Sequence, residues 1–157
     1  MKIKLIVVGK TDKGPLQDLI ADYCKRLTHY IPFELQVIPD LKKTKHLDVQ
    51  QQKQKEGELI LKEINTSDWL VLLDEAGKSF TSMQFAQELQ KKLNAGTKQL
   101  VFIIGGPYGF SDAVYQQAKQ KISLSKMTFS HQMVRLFFVE QIYRGFTILK
   151  NEPYHHQ

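Results

Sequence analysis

The chain has one cysteine, Cys24, and one tryptophan, Trp69, in 157 residues. A single thiol excludes an intramolecular disulfide and any multi-cysteine metal site. It fits a reducing compartment, so the expected location is the cytoplasm. Long apolar runs are also missing. Nothing approaches the span of about 20 apolar residues that crosses a bilayer. The opening MKIKLIVVGKT pairs a basic start with a short apolar run, yet no small-residue cleavage site follows, and a first β-strand is the simpler expectation. The histidines lack H-x-x-x-H spacing and a cysteine partner, so no metal site is expected. GxxxxGK[ST], an early GxGxxG after the first strand and a GxSxG elbow are absent as well. Nucleoside-triphosphate, dinucleotide and serine-hydrolase chemistries are thereby disfavoured.

What is present is a basic balance of uneven distribution. The formal net charge is +6. Residues 1–48 contribute +3, residues 49–118 contribute −1 and residues 119–157 contribute +4. Positive charge at both ends suits a polyanion such as RNA, although charge alone does not separate this from an ordinary basic protein. The length suits one hydrophobic core, hence one domain over 1–157.

Hydrophobic periodicity predicts strands alternating with helices. Residues 2–9 run Leu-Ile-Val-Val into glycine and read as a buried strand. Pro15 opens a helix over about 15–30, with Leu16, Leu19, Ile20, Tyr23 and Leu27 on one stripe. Cys24 borders that stripe and is assigned to packing. A second strand at 33–38 is closed by Pro39. Residues 40–48 carry Lys42, Lys43 and Lys45, and form either a solvated loop or a phosphate-contacting arm. A helix follows over 49–64. Trp69 to Leu73 is a third strand, ending at Asp74; Thr81 caps a helix to about Leu93; residues 100–104 form a fourth strand. Ser111 caps another helix, residues 121–124 form a short fifth strand, and the last helix is expected over 133–149. This alternation implies an α/β fold, a mainly parallel sheet flanked by helices. Ligands in such sheets sit beyond the carboxyl ends of strands. The loops at 74–78, 105–110 and 123–132 are therefore the candidate site.

Gly105, Gly106 and Gly109 allow close backbone approach, either to a flat ligand or simply for a tight turn. Adjacent Asp74 and Glu75 point apart on an extended backbone and do not make an acid/base pair. The last helix is apolar nearly all round. One side would face the sheet and another a second copy of the chain, so a homodimer is expected. Glu140 and Arg144 form an i,i+4 pair. Arg135 is then either solvated, or joins Arg144 at the rim of a site to hold phosphates.

These blocks resemble one family closely: LDEAGK at 73–78, FIIGGPYG at 102–109, LSKMTFSHQMVR at 124–135, EQIYR at 140–144 and PYH at 153–155. In order and spacing they are similar to the bacterial rRNA large subunit methyltransferase H family, a small member of the SPOUT class. The resemblance runs end to end. It implies a C-terminal trefoil knot, a feature that pattern reading alone would not propose. It also implies a homodimer that uses S-adenosyl-L-methionine to methylate N3 of a pseudouridine in 23S rRNA within the assembled 70S ribosome. The cofactor residues it implies are Leu73, Gly105, Leu124, Ser125, Lys126, Met127, Thr128 and Phe129, with Pro107 and Tyr108 closing over them. The catalytic and RNA-contacting residues it implies are His131, Arg135, Arg144, Tyr154 and His155, with a tail supplied by the other subunit and ordered on RNA. Ser130 departs from the proline common in the family before the histidine, which loosens the expectation of local rigidity. The rival readings are a non-catalytic RNA-binding module and a metabolic enzyme with a small acidic substrate.

Overall fold

The computed structural model describes residues 1–156. Among the described residues the elements run β1 (Lys2–Val8), α1 (Pro15–Leu27), β2 (Phe33–Ile38), a 3-10 turn (Thr44–His46), α2 (Val49–Lys62), β3 (Trp69–Ser79), α3 (Ser82–Asn94), β4 (Gln99–Ile104), α4 (Asp112–Gln117), β5 (Gln120–Ser123) and α5 (His131–Leu149). The strands form one sheet in the order β2-β1-β4-β3-β5. All its ladder pairings are parallel, so every strand's carboxyl end lies along the same edge.

Strand alternation divides the interior. Ile3, Leu5, Val7, Leu100, Phe102 and Ile104 face a core shared with Leu27 of α1, Phe85 and Leu89 of α3, and Phe138, Ile142 and Phe146 of α5. Ile6, Val8, Leu70, Leu72, Val101 and Ile103 face the other layer, with Ile60 of α2 and Val114 of α4. Both faces are covered, which explains the near-continuous apolar character of β1, β3 and β4. Cys24 packs against the first core. Burial pushes its thiol up to about 11, which disfavours the reactive thiolate.

Helix α2 ends two residues short of expectation and β5 is shifted by one; three other departures have an identifiable local cause. Helix α1 stops at Leu27, because Thr28 and Tyr30 close tighter turns on Lys25 and Leu27. Helix α5 starts at His131, two residues early, because the Ser130 hydroxyl accepts the Met133 N–H as an N-cap. Serine therefore fixes this junction, and the expected looseness does not follow. Strand β3 continues past Leu73. Both Leu73 and Lys78 pair with Ile122, and the intervening residues bulge outward. Gly77 permits this. A Cβ there would lie 2.6 Å from the Ile122 backbone.

Candidate functional site

The carboxyl edge of β3, β4 and β5 encloses a cavity of about 720 Å³, within the usual range for small-molecule sites. Three chain segments build its wall. The first is Leu73 with the bulge residues Asp74, Glu75 and Ala76; the second is the loop from Gly105 to Phe110; the third runs from Leu124 to His131, with Val134 behind it. These are the three loops singled out from the sequence.

Each segment is held by its own bonds. The Gly109 N–H donates to the Gly106 carbonyl at 3.2 Å, closing a turn with Pro107 and Tyr108 at its corners. Gly109 has φ +78°, which favours glycine. Tyr108 at the tip lines the cavity and is 47% exposed. Gly105 and Gly106 are closely packed, with no room for a side chain. A Cβ at Gly105 would meet the Phe110 ring at 3.0 Å, and one at Gly106 the Glu56 carboxylate at 2.8 Å. Burial raises the pKa of Glu56 above the ordinary carboxylate value. In the third segment the Ser123 hydroxyl donates to the Ser125 carbonyl at 3.0 Å, and the Ser125 hydroxyl accepts the Met127 N–H at 2.9 Å. Met127 itself is 76% exposed.

Asp74 and Glu75 do not act as a pair. Asp74 accepts the Tyr115 hydroxyl and the Ala76 N–H, while Glu75 is exposed. Burial, then Asp74, pushes the Tyr115 phenol up to about 12. Tyr115 was not anticipated; its position in the short helix α4 gave no signal.

The five residues expected to carry catalysis and RNA contact fall into three places. His131 lines the cavity, at the first turn of α5. Arg135 corrects both readings of it. It is fully buried, so it neither faces solvent nor rims the site. Its guanidinium donates to the carbonyls of Val8 at 2.7 Å and Gly9 at 2.9 Å, and to the Thr11 hydroxyl at 3.1 Å. The reason lies in the sheet: β1 ends in free carbonyls beneath α5, and a planar cation reaches several at once. Burial pulls its pKa below the ordinary arginine value.

Arg144, Tyr154 and His155 form the third group, at the far end of α5. Thirteen residues of helix separate His131 from Arg144, or about 20 Å at 1.5 Å per residue. Arg144 pairs with Glu140 at 2.5 Å and stacks over the Tyr154 ring at 4.7 Å. Its Nη1 meets His155 Nδ1 at 3.3 Å. Because guanidinium only donates, Nδ1 accepts and the proton sits on Nε2. The Tyr154 hydroxyl donates to Glu140 at 2.9 Å and contacts the Tyr23 hydroxyl at 3.0 Å. Burial and these partners raise the Tyr154 pKa. Tyr23 of α1 and Tyr30 of the turn after it complete an aromatic nest with Tyr143. The sequence reading had placed Tyr23 only in a packing stripe.

The tail is ordered within its own chain. Asn151 adopts φ 54°, and the N–H groups of Asn151 and Glu152 donate to the carbonyls of Ile148 and Thr147. This reversal ends α5 in a Schellman motif. Glu152 then accepts the Tyr30 hydroxyl. An ordering that waits for RNA is thus not required to place residues 151–156.

Part of α5 remains uncovered. Phe129, Met133 and Phe137 are each about two-fifths exposed, and the Phe129 and Phe137 rings lie 5.1 Å apart. Among the described residues no His, Cys, Asp and Glu group could hold a metal ion, and no helix is long and apolar enough to cross a membrane.

Comparison with known proteins shows the family of the chain. The model of a family described as "Predicted SPOUT methyltransferase" matches residues 1–155. Three relatives are named ribosomal RNA large subunit methyltransferase H. They come from Flavobacterium johnsoniae at 65% identity, Christiangramia forsetii at 66% and Porphyromonas gingivalis at 54%, each aligned over 157 residues and 100% of both chains.

Proposed function

Because the chain belongs to the SPOUT methyltransferase family, we propose that it is an S-adenosylmethionine-dependent methyltransferase acting on large-subunit ribosomal RNA, at N3 of a pseudouridine in the assembled 70S ribosome. The observation that carries this reading is the cavity of about 720 Å³. It gathers Leu73, Gly105 and residues 124–129 on one wall, with no second role competing for them. The names of the relatives support ribosomal RNA as the substrate. The modified atom, the 70S context, the cytoplasmic setting and the trefoil knot belong to the same proposal and rest on the family resemblance.

The residues present fit the cofactor. Gly105 and Gly106 bring bare backbone to the cavity wall, and Leu73, Ile104, Leu124 and Val134 offer apolar walls for an adenine. When bound, S-adenosylmethionine would supply a methyl group made electrophilic by its sulfonium. The chain must hold N3 of the base in line and take its proton. His131 lines the cavity and is the group placed to accept that proton. His155 instead presents an Nε2–H donor, and Tyr154 keeps its proton at neutral pH. Arg144 and His155 would then steady the developing imide anion and the neighbouring phosphate.

That division requires two subunits. A helix about 20 Å long separates His131 from Arg144 in one chain, too far for both to touch one base. Pairing through Phe129, Met133 and Phe137 would bring the Arg144–Tyr154–His155 group of one chain to the cavity of the other. A homodimer with composite sites follows. The test combines calorimetry with S-adenosylmethionine and radiolabelled methyl transfer to bacterial ribosomes lacking this modification. Cofactor binding with transfer to 70S particles is the expected result. RNA binding without cofactor binding would return the chain to a non-catalytic module.

A further inference from the structure

On the reading just proposed, we infer that the loops following β1 and β2 form a docking surface for the RNA backbone flanking the modified base. Both loops lie on the carboxyl edge that holds the cavity, because all the strands are parallel. Lys10 and Lys13 project from the first loop, and Lys42, Lys43 and Lys45 from the second; all five are exposed. Among the described residues none of them joins an ion pair, whereas Lys2 and Lys4, at the amino end of β1, pair with Glu34 and Glu63.

Two of the three carboxylates in these loops also serve the fold. Asp48 accepts the Gln51 N–H at 2.7 Å and caps α2. Asp40 lies against Gly9, where a Cβ would meet its carboxylate at 2.6 Å, and its charge acts on buried Arg135. Asp12 is exposed between Lys10 and Lys13, so the two loops carry five exposed lysines against three aspartates, and the edge is net positive. The second loop is also shaped. Lys43 sits at φ 59° and leads into the Thr44–His46 turn, closed by the Leu47 N–H on Thr44 at 2.9 Å.

The surface is continuous with the chemistry. Gln132, next to His131, donates to the Lys10 carbonyl and accepts the Asp12 N–H, both at 3.0 Å. Strand β2 lies two spacings from β4, about 10 Å at 4.8 Å each. A nucleic-acid strand leaving the cavity toward β2 crosses both loops. Point-charge ammonium groups spread over an open edge suit a phosphate backbone; they provide no pocket for a small anion and no base-reading fork.

The experiment is co-sedimentation with bacterial ribosomes over a potassium chloride series, a readout independent of methyl transfer. It compares the native chain, the triple Lys42→Gln, Lys43→Gln, Lys45→Gln variant and the corresponding triple arginine variant. The glutamine variant should bind more weakly and show a log-affinity against log-salt slope shallower by about 2, at about 0.7–0.9 per phosphate contact. Its cofactor affinity and Tm should match the native chain, and the arginine variant should keep the native slope. A native slope in the glutamine variant, or an equal loss in the arginine variant, overturns the surface. A native chain that sediments with ribosomes but transfers no methyl group removes the proposed activity and leaves the surface standing. A native chain that does not sediment removes both.

Discussion

Arg135 shows how far a single side chain can stand from its sequence reading. At helical spacing it has polar His131 and Gln132 on one side and apolar Phe138 and Val139 on the other, and nothing in that spacing separates a solvated arginine from a buried one. The burial is decided by the free carbonyls of Val8 and Gly9, more than 120 residues away in sequence. A buried guanidinium with three bonds and an unpartnered Nε is costly to disturb. Replacing it with lysine keeps the charge but loses the planar fork. Arg135→Lys should destabilise the chain by about 2 kcal/mol, lowering Tm by roughly 6 °C for a chain of this size. Scanning calorimetry checks this, and an unchanged Tm would deny the residue its structural role. Gly105 is the opposite case: its place at a strand end was legible, and the structure supplied the reason, an aromatic ring 3.0 Å from any added Cβ.

Among the elements, the helices and strands were mostly legible because their periodicities and caps are local. Thr81, Ser111 and Ser130 each accept an N–H three residues on. The extension of β3 was not legible, since it depends on a second meeting with Ile122 after a bulge. Nor was the folded tail. Its anchor combines the reversal at Asn151 with Tyr23 of α1 and Tyr30 of the turn that follows it. Removing residues 152–157 takes away Tyr154 and His155 and leaves the cavity wall untouched. Methyl transfer should be abolished, with cofactor affinity by calorimetry within about twofold, or about 0.4 kcal/mol. Full activity in the shortened chain would refute the tail's role.

For the whole molecule, the roles proposed for His131 and for the Arg144–His155 group call for two chains. A dimer of composite sites makes a prediction that no monomer shares. A Gly105→Leu chain should lose cofactor binding, because the added side chain enters the Phe110 ring. A chain lacking residues 152–157 should lose transfer by another route. Each alone should be inactive. Mixed dimers, made by co-expression with two affinity tags, should regain up to half the native activity per dimer, since one intact cavity then faces one intact tail. No recovery in purified mixed dimers would place both groups of a working site on one chain. Light scattering on Phe137→Glu supplies the companion result: a charge in the exposed apolar face should give a monomer.

The α/β class, the parallel sheet and the three cavity loops were determined by the sequence alone, because alternation of strand and helix patterns and the rule for ligand sites in parallel sheets act through local composition. The tertiary structure decided which polar groups are available. It buried Arg135 against β1, bound Asp74 to Tyr115, and seated His155 on Arg144, which stands about 20 Å along α5 from His131. Those outcomes depend on contacts between residues far apart in the chain, and a linear pattern carries no record of which backbone carbonyl or carboxylate a side chain will meet.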